Sequence, residues 1–172
     1  MVSLIGESGS GKSTIGKMIL GLISITSGTI SLDGTDISTL QGEGLKEYYR
    51  KVQGVFQDPF SSYNPIFKAD RIFQVVHDEF YPEVDAQAWR EKVEKALKDV
   101  GLNSEHVLNK FPHQLSGGQL QRFLIARALL LDIKFLVADE VISMLDASTR
   151  IDVLNLLAEL KKRGLSILFI TH

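Results

Sequence analysis

The apolar positions of this chain alternate between two spacings. Val2 to Ile5 is a short apolar run closed by Gly6, which predicts a buried strand. Ile15, Met18, Ile19 and Leu22 then recur at helical intervals. Ser27-Gly28 marks a turn, Thr29 to Leu32 alternates like a strand, and Asp33-Gly34 is a strong hairpin signal. Val52 to Phe56 predicts a further strand, ending at Gln57-Asp58-Pro59. From there to about residue 125 the pattern turns helical and more polar. Ala86, Trp89, Val93, Ala96, Leu97 and Val100 share one helix face, with Gly101 as the C′ residue. Trp89 belongs to that packing stripe and is not read as a platform for a base. Gln119 to Leu131 predicts helix and Lys134 to Ala138 a buried strand. Ala147 to Arg163 predicts an amphipathic helix with apolar Ile151, Leu154, Leu157, Ala158 and Leu160, closed by Gly164. Ser166 to Ile170 predicts a last buried strand. Strands alternating with helices imply an α/β fold with a parallel sheet.

Composition narrows the function. At 172 residues and 44% hydrophobic content, the chain is one modest domain or part of a larger one. A net charge of −2 gives no cationic field, so no nucleic-acid partner is expected. The absence of cysteine excludes disulfides and thiolate-bound metal centres and suits a reducing compartment. No apolar run reaches the roughly 18 residues of a membrane span; the longest, Phe123 to Leu131, is broken by Arg127. The N-terminus lacks the basic start of a secretory signal, and an intracellular location is expected.

Two segments carry chemistry. Gly6-Glu7-Ser8-Gly9-Ser10-Gly11-Lys12-Ser13-Thr14 has the spacing of a phosphate-binding loop. Its glycines let successive N–H groups point at one spot, and the helix that starts near Lys12 adds its positive end. Lys12 would reach the β/γ-phosphates of a nucleoside triphosphate, and the Ser13 hydroxyl is a hard oxygen ligand for Mg²⁺. A Gly/Ser linker would not be framed by a strand before and a helix after. The second segment is Phe135 to Glu140, an apolar strand ending in two carboxylates. In a parallel sheet both should face the crevice that holds the loop. Asp139 suits the metal, through a water, and Glu140 suits activation of the attacking water. Two acids could instead cap a helix; the phosphate loop upstream favours the chemical role.

With those pieces in place, the chain resembles the nucleotide-binding domain of ATP-binding cassette transporters. The resemblance rests on Gly6 to Thr14, on Gln57 in Val55-Phe56-Gln57-Asp58-Pro59, and on the signature Leu115-Ser116-Gly117-Gly118-Gln119. It also rests on Asp139-Glu140, on Ser143-Met144-Leu145-Asp146, and on His172 after Phe169-Ile170-Thr171. The stretch Phe56 to Pro65 is similar to the oligopeptide/dipeptide importer branch in particular. The resemblance implies a RecA-like P-loop core at about 1–57 and 126–172, an inserted helical subdomain at about 58–125, and an incomplete antiparallel β subdomain. It implies ATP and Mg²⁺ as cofactors. Gly6, Ser8, Gly9, Ser10, Gly11, Lys12, Ser13 and Thr14 would hold the nucleotide, with Ser13, Gln57 and Asp139 at the metal and Glu140, Gln57 and His172 catalytic. Ser116, Gly117, Gly118, Gln119 and Asp146 would act across a head-to-tail dimer, on the nucleotide held by a second ATPase subunit. Physically, Ser116 as N-cap and two glycines leave free N–H groups at a helix start, which suits an anion. Transmembrane permease subunits and a place at the cytoplasmic face of the membrane are implied with it. His77, His106 and His113 carry no motif and are expected at the surface.

Two departures matter. The family usually has Pro-Thr or Pro-Val after the acid pair; here Val141-Ile142 stands there, and the loop to Asp146 is expected to be less rigid. The chain also begins inside the strand that feeds the phosphate loop and stops at His172. It therefore resembles a cassette truncated at both ends, lacking the aromatic that stacks on adenine, and weak, base-indifferent nucleotide binding is expected. A binding-only module is the main alternative to an active ATPase. A non-transport relative with an inserted coiled coil would require heptads, which are not found.

Overall fold

The computed structural model describes residues 1–172. The chain runs from β1 (Val2–Ile5) through α1 (Lys12–Ile19) to an antiparallel hairpin, β2 (Ser31–Leu32) and β3 (Thr35–Asp36). Next, α2 (Gly42–Lys51) leads into β4 (Val52–Val55). Four helices follow: α3 (Arg71–Phe80), α4 (Ala86–Asp99), α5 (Ser104–Val107) and α6 (Gly117–Leu129). The chain ends with β5 (Phe135–Asp139), α7 (Ala147–Lys162) and β6 (Ser166–Thr171). The main sheet is parallel throughout, in the order β1-β6-β5-β4. Asp33 and Gly34 turn the hairpin with positive φ at both positions, 51° and 82°, as a two-residue turn between twisted strands needs.

β5 has a strand on each side and both faces covered, so Leu136, Val137 and Ala138 are all buried. β1 departs from the expected buried strand. It pairs only with β6, and Val2 and Ile5 are 67% and 69% exposed. An apolar run alone cannot tell a central strand from an edge strand.

The helix faces also differ from the simple stripes. In α1 the line toward the sheet is Lys12, Gly16 and Leu20, while Ile15 and Leu22 are exposed. The loop fixes this rotation by turning Lys12 inward, which brings positions four and eight residues on to the same face. Gly16 is there because the helix lies close. A Cβ at this position would stand 3.1 Å from both Ile170 Cδ1 and Val137 Cγ1. In α7 the buried line is Val153, Leu157 and Leu160; Ile151, Leu154 and Ala158 face outward. α7 carries two apolar lines, and the one facing the core decides its orientation.

α4 follows its pattern closely. The Asp85 carboxylate caps it by accepting from Gln87 N and Ala88 N. Trp89, Val93, Ala96 and Leu97 are buried, and Gly101 at φ 72° ends the helix while Leu102 N donates to Leu97 O. Ala86, the first helical residue, is exposed. His106 and His113 are exposed as expected, but His77 is not a free surface group. Its ring packs on Trp89, and its Nε2 pairs with Val84 O at 2.7 Å. One buried cluster of 32 residues runs from α3 and α4 through α6 into β4, β5, β6 and α7, so the helical stretch and the sheet share a core.

Candidate functional site

The residues between β1 and α1 form a loop that curls around its own lysine. Gly9 and Gly11 have φ of 81° and 90°, and a Cβ on either would meet nothing within 4 Å. Glycine is needed there for the dihedral, not for room. Lys12 Nζ donates to Gly6 O at 2.7 Å, to Glu7 O at 2.6 Å and to Ser10 Oγ at 3.3 Å. Three acceptors for three protons place the ammonium at the loop's centre, and Lys12 is buried. Ser8, Gly9, Ser10 and Thr14 remain exposed around it. Free loop N–H groups, the start of α1 and this cation make one electropositive concavity.

The two carboxylates arrive from β5. Asp139, its last residue, is buried and accepts a hydrogen bond from Ser13 Oγ at 3.1 Å. A hydroxyl and a carboxylate thus meet at the mouth of the loop. No group of three or more His, Cys, Asp or Glu side chains gathers to cage a metal. Two hard oxygens are the donor set for an ion like Mg²⁺, which takes few protein ligands and fills its remaining positions with water and phosphate oxygens. Glu140 follows in the left-handed region, φ 50°, with its N–H donating to Ile170 O at 2.9 Å. Its Oε1 stands 3.9 Å from Nδ1 of His172, which follows Thr171 at the end of β6. Neighbouring parallel strands therefore deliver Asp139 and Glu140 to one edge of the sheet, as the strand pattern predicts, and His172 stands at that edge with them.

Gln57 lies two residues past Val55, and Val55 pairs with Ala138, two residues before Glu140. Its side chain is exposed. What holds this junction was not legible in the sequence. Gln121 and Arg127, both on α6, reach across to it. Gln121 Nε2 donates to Phe56 O at 3.1 Å, and Arg127 Nη2 donates to Gly54 O at 3.1 Å. Gln121 Oε1 and Arg127 Nε are enclosed without a partner, and burial lowers the guanidinium pKa. The only trace in the sequence is that Gln121 and Arg127 interrupt apolar residues of a helix that also carries Gln119 and Arg122.

The signature segment starts α6. Ser116 is its N-cap and forms a reciprocal box with Gln119: Gln119 N donates to Ser116 Oγ at 3.1 Å, and Ser116 N donates to Gln119 Oε1 at 2.9 Å. The Gly117 and Gly118 N–H groups, in the first turn, have no intrahelical acceptor. The box therefore uses two of the N–H groups at this helix start and leaves the glycine pair. No hydrogen bond links this segment to the phosphate loop of the same chain.

Asp146 caps α7. Its carboxylate accepts from Ser148 Oγ, Thr149 N and Thr149 Oγ1, and these bonds hold its pKa well below the usual carboxylate range. The loop before it, which has Val141-Ile142 where a proline is usual, makes several contacts of its own. Val141 is buried, Ser143 Oγ donates to Glu140 O at 2.9 Å, and Arg150 donates to Leu145 O and Ser143 O at 2.7 and 3.0 Å.

The ABC transporter family model matches residues 1–143. The oligopeptide transport ATP-binding protein OppF of Streptococcus mutans serotype c is 46% identical, over 98% of this chain and 55% of its own length. The protein of the same name from Streptococcus pyogenes serotype M1 is 45% identical, over 99% of this chain and 56% of its own. The chain thus spans about half the length of the curated relatives it matches. Among solved structures, the dimeric post-hydrolysis ATP-binding cassette MJ0796 with ADP and Pi superposes with a TM-score of 0.85. It is 31% identical and covers 100% of this chain and 74% of its own.

Proposed function

The chain belongs to the ABC transporter family, and on that premise we propose that it is the ATP-hydrolysing part of a peptide importer. The observation that carries this is the convergence of Lys12, the Ser13–Asp139 pair and the Glu140–His172 pair at one edge of a parallel sheet. Lys12 and the loop N–H groups hold the triphosphate. Ser13, Gln57 and Asp139 would hold Mg²⁺, Asp139 through a water, and the ion would neutralise charge that develops on the phosphates. Glu140 takes a proton from the attacking water, and His172 orients both carboxylate and phosphate. Ser116 to Gln119 and Asp146 act on a nucleotide held by a second subunit, because the glycine N–H groups form an anion seat without an anion of their own chain. Residues 58–125 form a helical subdomain on the core of 1–57 and 126–172. No helix is long and apolar enough to cross a membrane. Membership of the family supports transmembrane permease subunits as partners and a place at the cytoplasmic face. The names of the OppF relatives support oligopeptides as cargo.

Glu140→Gln tests the chemistry. It keeps the shape and removes the base, so ATP affinity should stay within about twofold while turnover falls by about 10²–10⁴. Hydrolysis at the native rate in this variant would remove Glu140 from that role.

A further inference from the structure

The two cross-subunit segments meet within the chain, and one side chain, Thr149, touches both. Its Oγ1 donates to Asp146 Oδ2 at 2.7 Å, and its N–H donates to Asp146 Oδ1 at 3.1 Å. The other branch of the same side chain lies on the first turn of α6. A Cβ added at Gly118 would fall 2.1 Å from Thr149 Cγ2, but 3.4 Å from Thr149 Cβ and 3.5 Å from Thr149 Oγ1. The obstruction is a single methyl group. Gly117 differs: a Cβ there would sit at ordinary distance, 3.7 Å, from Leu145 Cδ2 and Phe60 Cε2.

We propose that Thr149 is a positioning residue that locks the signature turn to the Asp146 loop, its hydroxyl fixing one and its methyl the other. A β-branched side chain is suited to this, because one χ1 setting aims both branches at once. Glycine at 118 is then required by the chain's own packing. Ser116–Gly118 and Asp146 move as one surface when a second subunit closes on them. Arg150 strengthens the unit by holding the carbonyls of Ser143 and Leu145 from the next position on α7. The functional half of this inference rests on the proposed ATP-driven closure; the packing half does not.

The test is compensation. Gly118→Ala should lower Tm by about 2–10 °C through overpacking and cut kcat at least tenfold, with KM for ATP little changed. Thr149→Ser keeps the cap hydroxyl and removes the obstructing methyl. Gly118→Ala/Thr149→Ser should therefore recover most of both Tm and kcat. Gly118→Ala/Thr149→Val, which keeps a methyl and loses the hydroxyl, should recover neither, and Gly117→Ala should leave Tm near native. A double variant with no Tm recovery overturns the packing contact. One that regains Tm but not kcat overturns the positioning role, because the added methyl at 118 then acts directly at the subunit contact and not through Thr149. If the native chain turns over no ATP, the proposed function fails, and the Tm arm still decides whether Thr149 imposes the glycine.

Discussion

Lys12→Met separates the chemistry of the phosphate loop from its folding. Methionine keeps the unbranched apolar stem and removes the ammonium, with its charge and three donated hydrogen bonds. The acceptors left behind are not sealed: Gly6 is half-buried, and Glu7 and Ser10 are exposed. Water can replace the ammonium, so stability should fall by about 1 kcal/mol or less, a Tm change of about 2–4 °C. Nucleotide binding should suffer more. A charge-assisted bond from Lys12 to a phosphate oxygen contributes about 1.5–3 kcal/mol net, equal to about 10- to 150-fold in Kd. Calorimetric titration of ATP into both proteins, beside thermal melts followed by circular dichroism, gives both numbers. An affinity within about threefold of native would refute the assignment of the loop. A large affinity loss accompanied by a Tm drop above about 10 °C would show that Lys12 holds the loop's fold instead of the ligand.

Two further predictions concern the fold. Leu157→Ala should cost about 2–5 kcal/mol because the side chain is 1% exposed, while Ile151→Ala, at 59% exposure, should stay within about 0.5 kcal/mol; urea melts of the two decide which face of α7 is buried, and equal costs would contradict it. The His77 pKa is raised above 6.5 by the hydrogen bond to Val84 O and by Asp78, so its stabilisation is fully present below about pH 6.5 while Asp78 is ionised, and is lost as pH rises through the raised value. The Tm gap between native and His77→Ala should therefore be wider at about pH 5.5 than at about pH 8.5, and a constant gap would exclude the linkage.

The sequence made the chemistry more legible than the packing. Gly9, Gly11, Lys12 and Ser13 announce a loop because the spacing itself fixes the dihedrals and the direction of the lysine. Asp139 and Glu140 are readable because a strand end in a parallel sheet is a known place. The buried faces of α1 and α7 are not legible for one reason: each helix carries apolar residues on more than one line, and tertiary contact chooses among them. Gln121 and Arg127 are two of four long polar side chains on α6, and nothing local tells which of them turns inward to reach a carbonyl. Thr149 has no local signature, because its role exists only once α6 packs on the start of α7.

ATP-driven association tests the central claim most directly. Glu140→Gln with Mg²⁺ and saturating ATP should sediment as a dimer, and with ADP as a monomer. Adding Ser116→Arg should abolish the dimer while leaving ATP affinity unchanged, since the arginine would occupy the seat meant for the partner's phosphate. A Glu140→Gln chain that binds ATP and stays monomeric, or a Ser116→Arg double variant that dimerises equally well, would contradict the account.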